Sequence, residues 1–342
     1  MAVSVGTIYA TLALRDKLSK PLGAAGLKLG KFGKVAGAGL AVAATAAAAA
    51  IAAIGVAAVK TVNAASDFED SFTGIRKTVD GTEKDFQILA AGMRGLSKEI
   101  PISVNELNRI GEAAGQLGVK KEDILGFTRT MADLGATTNL SSDAAATGLA
   151  RFANVMDNEM GPQFDRLGST IVALGNNLQT TEAEILNFAT RLGASGKIAG
   201  LTEADILSIG GALSSVGIKA EAGGTAIQKT LNKMTEAAAQ GNEDLAVFAA
   251  TAGMSAENFA TLWKDDAAEG FNRFVEGLGD QGTAAFGTLD ALSLSGERTK
   301  LALLSVAGAG DLLRDSLVMG TEAWEANTAL AKEAELRYNT FS

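Results

Sequence analysis

The chain has 342 residues, 47% hydrophobic and 5% aromatic, with a net charge of −9 and neither cysteine nor histidine. Without cysteine there is no disulfide framework and no thiolate metal site; without histidine the commonest general base and metal ligand are missing. A Ser–His or Cys–His nucleophile is therefore excluded. No pair of carboxylates and no Ser–Lys pair stands out by spacing, so no enzyme activity, cofactor or metal is expected.

In chain order, Val3, Val5, Thr7, Tyr9 and Thr11 alternate, the period of a short strand or extended arm. From Asp16 the spacing becomes helical: Leu18, Leu22, Ala25, Leu29 and Phe32 form a stripe, bent near Pro21. Residues 15–34 carry six basic side chains (Arg15, Lys17, Lys20, Lys28, Lys31, Lys34) and one acid, Asp16, which leaves −14 on residues 35–342. An acidic body repels phosphate backbones, so sequence-independent nucleic-acid binding by it is not expected, and no sequence-specific nucleic-acid partner is expected either. The basic arm suits anionic lipid or an acidic protein surface. Residues 1–34 are read as the first segment.

Val35 to Val59 runs for 25 positions without a charge, and 14 of them are Ala. A spanning helix needs about 20 mostly apolar residues, so the stretch is long enough for a bilayer, yet too long and too far from Met1 for a cleavable secretory signal. Ala and Gly add little transfer energy but let helices approach closely. The segment, set at 35–66, fits either a bundle of its own copies or lipid. Leu40, Val42, Ile51, Ile54, Val56 and Val59 are the candidate membrane contacts, and Lys28, Lys31 and Lys34 form the basic flank.

A polar stretch, SDFEDSFTGIRKTVDGT, opens the body. Beyond it Thr82-x-x-Asp85, Ser103-x-x-Glu106, Thr181-x-x-Glu184 and Thr202-x-x-Asp205 read as capping boxes, in which a hydroxyl satisfies an orphan backbone N–H. Gly115, Gly118, Gly193, Gly217 and Gly253 read as helix closers. No long alternating pattern follows residue 15, so the fold class is all-α, built of many short amphipathic helices.

A duplicated three-helix unit is expected at about 103–156 and 181–234, within a core region set at 67–240. At an offset of 78, Leu107, Ile110 and Ala114 match Ile185, Phe188 and Leu192; at 82, Ile124, Phe127, Met131 and Leu134 match Ile206, Ile209, Leu213 and Val216. Back at 78, Leu149, Phe152 and Met156 match Ile227, Thr230 and Met234. Stacked helical units serve mainly as scaffolds. Residues 241–342 form the last region, with an aromatic cluster of Phe248, Phe259, Trp263, Phe271 and Phe274 flanked by Leu262 and Leu278. Its final stretch, TEAWEANTALAKEAELRYNTFS, reads as one charged helix without a stop signal, the start of a longer rod.

The stretch from Ala64 to Ala238 resembles the core of phage tail tape-measure proteins of the TP901 type. The resemblance rests on ASDFEDSFTGIRKTVDG, LSKEIPISVNELNRIGEAAGQLGVKKEDILGFTRTMADL, LGSTIVALGNNLQTTEAEILNFATRLG and SSVGIKAEAGGTAIQKTLNKM, and continues through AGMSAENFATLWKDDAAEGFNRFVEGL. It implies a helical scaffold in the lumen of a virion tail, assembled in the host cytoplasm, which sets tail length and assists genome delivery through the host membrane. Implied partners are the tail tube protein, tail assembly chaperones, tail tip or baseplate proteins, further copies of the chain, and the host membrane during ejection. At 1.5 Å per residue even a fully helical chain of this size reaches only about 500 Å, so the amino-terminal part of a longer tape measure, or a short tail, is expected. The alternative reading is a membrane-perforating protein or toxin whose apolar helix is sheltered by a helical body.

Overall fold

A computed structural model describes residues 66–156 and 163–340. Within them helix runs over 66–78 (α1), Glu83–Glu99 (α2), Val104–Gln116 (α3), Ile124–Thr137 (α4), Ser142–Val155 (α5), Gln163–Asn177 (α6), Glu182–Ala199 (α7), Glu203–Ser215 (α8) and Ala220–Gln240 (α9). There follow Glu243–Thr251 (α10), Ala256–Asp265 (α11), Ala267–Gln281 (α12), a 3-10 turn at Gly282–Ala284, Ala285–Ala291 (α13), Glu297–Ala307 (α14), Leu312–Ala326 (α15) and Ala329–Asn339 (α16). Among the described residues there is no strand, and the fold is all-α. The extended arm, basic helix and Ala/Gly-rich helix expected ahead of residue 66 lie outside the described residues.

The polar opening of the body is itself a helix. Phe68, Phe72, Ile75 and Val79 recur at i, i+4, i+7 and i+11 and are buried. Polar residues cover the other side: Arg94 lies 3.7 Å above the Phe68 ring, and Arg76 grips Glu83 through two bonds of 2.7 and 2.8 Å.

Side-chain caps fix seven of the described helix starts, at Thr82, Ser103, Ser141, Thr181, Thr202, Ser255 and Asp266. Thr82 and Thr202 make both halves of a capping box: each hydroxyl accepts from the Asp backbone N–H (3.3 and 3.2 Å), and each Asp carboxylate accepts from the Thr N–H (2.8 and 2.9 Å). Ser103 and Thr181 complete only the hydroxyl half. The Glu184 carboxylate instead accepts from the Ser214 hydroxyl at 2.9 Å, tying α7 to α8. Gly118, Gly217 and Gly253 take left-handed φ values of 82°, 80° and 71° just past their helices, as expected. Gly115 and Gly193 do not close helices. They sit inside α3 and α7, where a methyl would lie 2.4 Å from Thr78 Oγ1 and 3.1 Å from Val155 Cγ1. Both mark places where helices meet, and Gly200 (φ 90°) is the residue that closes α7.

One hydrophobic core joins these helices from Phe68 to Leu330. Most matched positions of the two helix triplets are buried alike: Leu107, Ile110 and Ala114, like Ile185, Phe188 and Leu192, are at most 1% exposed, but Val216 and Met156 are only half-buried where Leu134 and Met234 are buried. Their surroundings differ. Helix α9 lies chiefly on α7, whereas α5 is shared between α4 and α7, and α6 is inserted between the triplets against α8. The aromatic cluster forms as expected, with Phe248 and Phe274 edge to face at 5.0 Å and Phe259 stacked on Trp263 at 6.3 Å.

Residues beyond 240 do not stand apart from those before. Phe68 onward forms a single unit, with α14 packed on α9, α15 on α6 and α8, and α16 on α4 and α6. The expected continuous terminal helix is broken. Asn327 adopts a left-handed conformation (φ 47°) and caps α15, its N–H bonding to the Ala323 carbonyl. Asn tolerates that conformation better than most residues, which ends α15 without a glycine. Helix α16 then folds back onto the core, burying Leu330 and Ala334.

Candidate functional site

The proposed membrane contacts Leu40, Val42, Ile51, Ile54, Val56 and Val59, and the basic flank Lys28, Lys31 and Lys34, lie outside the described residues. Among the described residues no helix is long and apolar enough to cross a membrane, and no group of three or more His, Cys, Asp or Glu residues could hold a metal ion.

Two polar sites hold the helices together. The first lies where α16 closes over α4 and α6. On α4, Arg129 and Asp133 are one turn apart, with Thr130 between them. Asp133 is 6% exposed. Its carboxylate accepts from the Tyr338 hydroxyl at 2.7 Å and from Arg129 Nε at 3.0 Å, while Arg129 Nη1 also reaches Glu99 at 3.2 Å. The Thr130 hydroxyl donates to Asp165 on α6. Burial pushes the Asp133 carboxyl above its ordinary value, against the opposing pull of Tyr338 and Arg129. Burial likewise raises the Tyr338 phenol, and its bond to Asp133 adds to the shift. One residue beyond Asp165, the Arg166 guanidinium donates to the Trp324 carbonyl at 2.6 Å, satisfying a late carbonyl of α15.

Glycines bring the backbones close beside this network. A methyl on Gly320 of α15 would lie 1.9 Å from Ser208 Oγ on α8, and one on Gly168 of α6 would lie 2.8 Å from Leu330 Cδ2 on α16.

The second site is a cavity of about 420 Å³ at the end of α10, walled by α12 and the start of α15. Both of its arginines are paired: Arg273 with Glu269 at 2.7 Å, and Arg314 with Glu276 of the wall and, at 2.7 Å, with Asp311 outside it. At its base, a methyl on Gly277 would lie 1.7 Å from the Thr251 carbonyl oxygen. Both sites join elements distant in sequence, with 205 residues between Asp133 and Tyr338, so spacing alone does not announce them. A partial signal is present: Asp133 interrupts an otherwise apolar Met131, Ala132 and Leu134.

The described residues thus define a helical body in which charged groups of both polar sites are held by partners on neighbouring helices. The chain belongs to the phage-related minor tail protein family, whose sequence profile matches residues 90–332. A protein of Halomonas phage phiHAP-1 (isolate -/Gulf of Mexico/-/2001), described as "Probable tape measure protein", is 26% identical over 193 residues, which cover 53% of this chain and 22% of that protein. The match therefore spans only about a fifth of the relative's length. No solved structure matches. The chain is a structural protein of a phage tail.

Proposed function

We propose that the chain is a tape-measure protein, a scaffold inside the tail tube that sets tail length and leaves during genome delivery. The observation that carries this reading is the likeness to a tape-measure relative over 193 residues, beside a family match that spans most of the helical body. Its contacts would be the tail tube protein, tail assembly chaperones, tail tip or baseplate proteins, and further copies of itself. During ejection, residues 35–59 would meet the host membrane, with Lys28, Lys31 and Lys34 held at the headgroups. The same reading separates an arm at 1–34 and an apolar helix at 35–66 from the folded body, and derives 103–156 and 181–234 from one duplicated unit. The test is to build phages whose copy of this gene carries in-frame deletions or duplications of whole helices, and to measure tails by electron microscopy. Tail length should change in proportion, by up to about 1.5 Å per residue. Tails of constant length with altered tape measures would overturn the proposal.

A further inference from the structure

Helices α15 and α16, residues 312–339, form a two-helix strap across α4, α6 and α8. Its seat is unusual for a core contact. The buried residues of the strap are Leu313, Ser316, Gly320, Ala323, Leu330 and Ala334, of which only the two leucines are large, while Leu317, Met319, Trp324 and Tyr338 are only half-buried against the core. Helix α7, by contrast, buries Ile185, Leu186, Phe188 and Leu192. At three points beneath the strap the counterpart is small or polar: Ser208 under Gly320, Gly168 under Leu330, and Asp133 under Tyr338. Lifting the strap would therefore wet two buried leucines and several side chains that are already half in water, whereas separating α7 from its neighbours would expose four large side chains that are fully covered. Polar bonds sit at each end and at the bend. Arg314 binds Glu276 at the start, Arg166 binds the Trp324 carbonyl near the middle, and Tyr338 binds Asp133 at the end. The strap is joined to α14 through Gly308, Ala309 and Gly310, and Gly310 has a φ of 66°. Such a link can swing without disturbing a helix at either end.

We propose that residues 312–339 are a releasable strap, which opens as a unit about Gly308–Gly310 while α2–α14 stay folded, and which the Tyr338–Asp133 bond holds shut. The opening belongs to the isolated chain and is independent of whether residues 35–59 ever meet lipid. Native-state hydrogen exchange on the full-length chain tests it. Amides of α15 and α16 should exchange together through an opening at least ten-fold more populated than the one that exposes α7–α9. Tyr338→Phe should raise strap exchange by roughly ten-fold, the effect of losing one hydrogen bond to a charged group, and leave α7–α9 unchanged. A lock completes the test. The ideal Cβ of Gly320 lies 3.4 Å from Ser208 Cβ, close to disulfide spacing, and the chain has no other cysteine. In the Ser208→Cys/Gly320→Cys variant, oxidation should slow strap exchange to the rate of α7–α9, and reduction should restore it. Equal protection of the strap and α7–α9 in the parent chain would overturn the proposal, as would strap exchange that ignores the closed lock.

Discussion

Thr82–Asp85 and Thr202–Asp205 are the same motif in opposite electrostatic settings. Lys121 reaches Asp85 at 2.9 Å and, with the bonds from Thr82, holds its carboxyl down at about 2. Burial instead pushes the Asp205 carboxyl up, and the nearby charges of Asp266 and Glu203 add to the shift. The two therefore respond oppositely to pH. A lowered carboxyl contributes stability that is present above the unfolded value, about 4, and is lost as pH falls through about 2. A raised carboxyl contributes stability that is present below about 4 and is lost as pH rises through its folded value. Accordingly, Asp85→Asn should lower the melting temperature more at pH 7 than at pH 2. Asp205→Asn should narrow the parent's loss of stability between pH 4 and pH 7, since the amide still accepts the Thr202 N–H. Melts of both variants at the three pH values test the pair; parallel shifts would contradict these assignments. From sequence the two motifs look identical, because Lys121 and Asp266 reach them only through the fold.

At the scale of the helix, periodicity carried most of the information. Phe127 and Leu213, one from each of the two helices aligned by the offset of 82, are both at most 1% exposed. Truncating either to Ala should cost about 2 to 5 kcal/mol in chemical denaturation, against about 0.5 or less for Glu122→Ala in the exposed turn ahead of α4. Glycine was harder to interpret, since the same residue ends helices and lets them touch. A methyl on Gly95 or Gly126 meets nothing within 4 Å, whereas one on Gly277 strikes the Thr251 carbonyl. Gly95→Ala and Gly126→Ala should therefore stabilise by about 0.5 to 1 kcal/mol through helix propensity. Gly277→Ala should destabilise by about 1 to 3 kcal/mol as an overpacked contact. Denaturant midpoints of the three variants measure this, and a stabilised Gly277→Ala would refute the close approach of α10 and α12. Asn327 escaped sequence reading for a similar reason: nothing marks an asparagine within a charged helical pattern as the residue that turns left-handed.

Across the whole molecule, charge and apolar surface are strongly segregated, with six basic residues in 15–34, an uncharged run from 35 to 59, and an acidic body behind them. If residues 35–59 enter lipid, Ala48→Lys with Ile51→Asp should weaken insertion by about 2.5 to 3.5 kcal/mol per charge. Flotation of the full chain with liposomes measures this, and unchanged binding would remove the membrane step. The all-helical class was legible from composition and caps alone. How α15 and α16 return to α4, α6 and α8 was not, since an apolar stripe shows that a helix packs but not on which partner, and the polar contacts of Asp133, Arg166 and Tyr338 have no period.

The bond between Tyr338 and Asp133 also has a consequence during synthesis. Asp133 emerges 205 residues before its partner. At about 5 to 20 residues per second, α4 waits ~10 to 40 s on the ribosome for the helix that will cover it. A greasy face exposed for so long would invite neighbouring nascent chains to stick. Much of what waits here is hydroxyl, glycine and carboxylate, which water solvates well. The last helices can thus arrive late without leaving their half-made seat prone to aggregation.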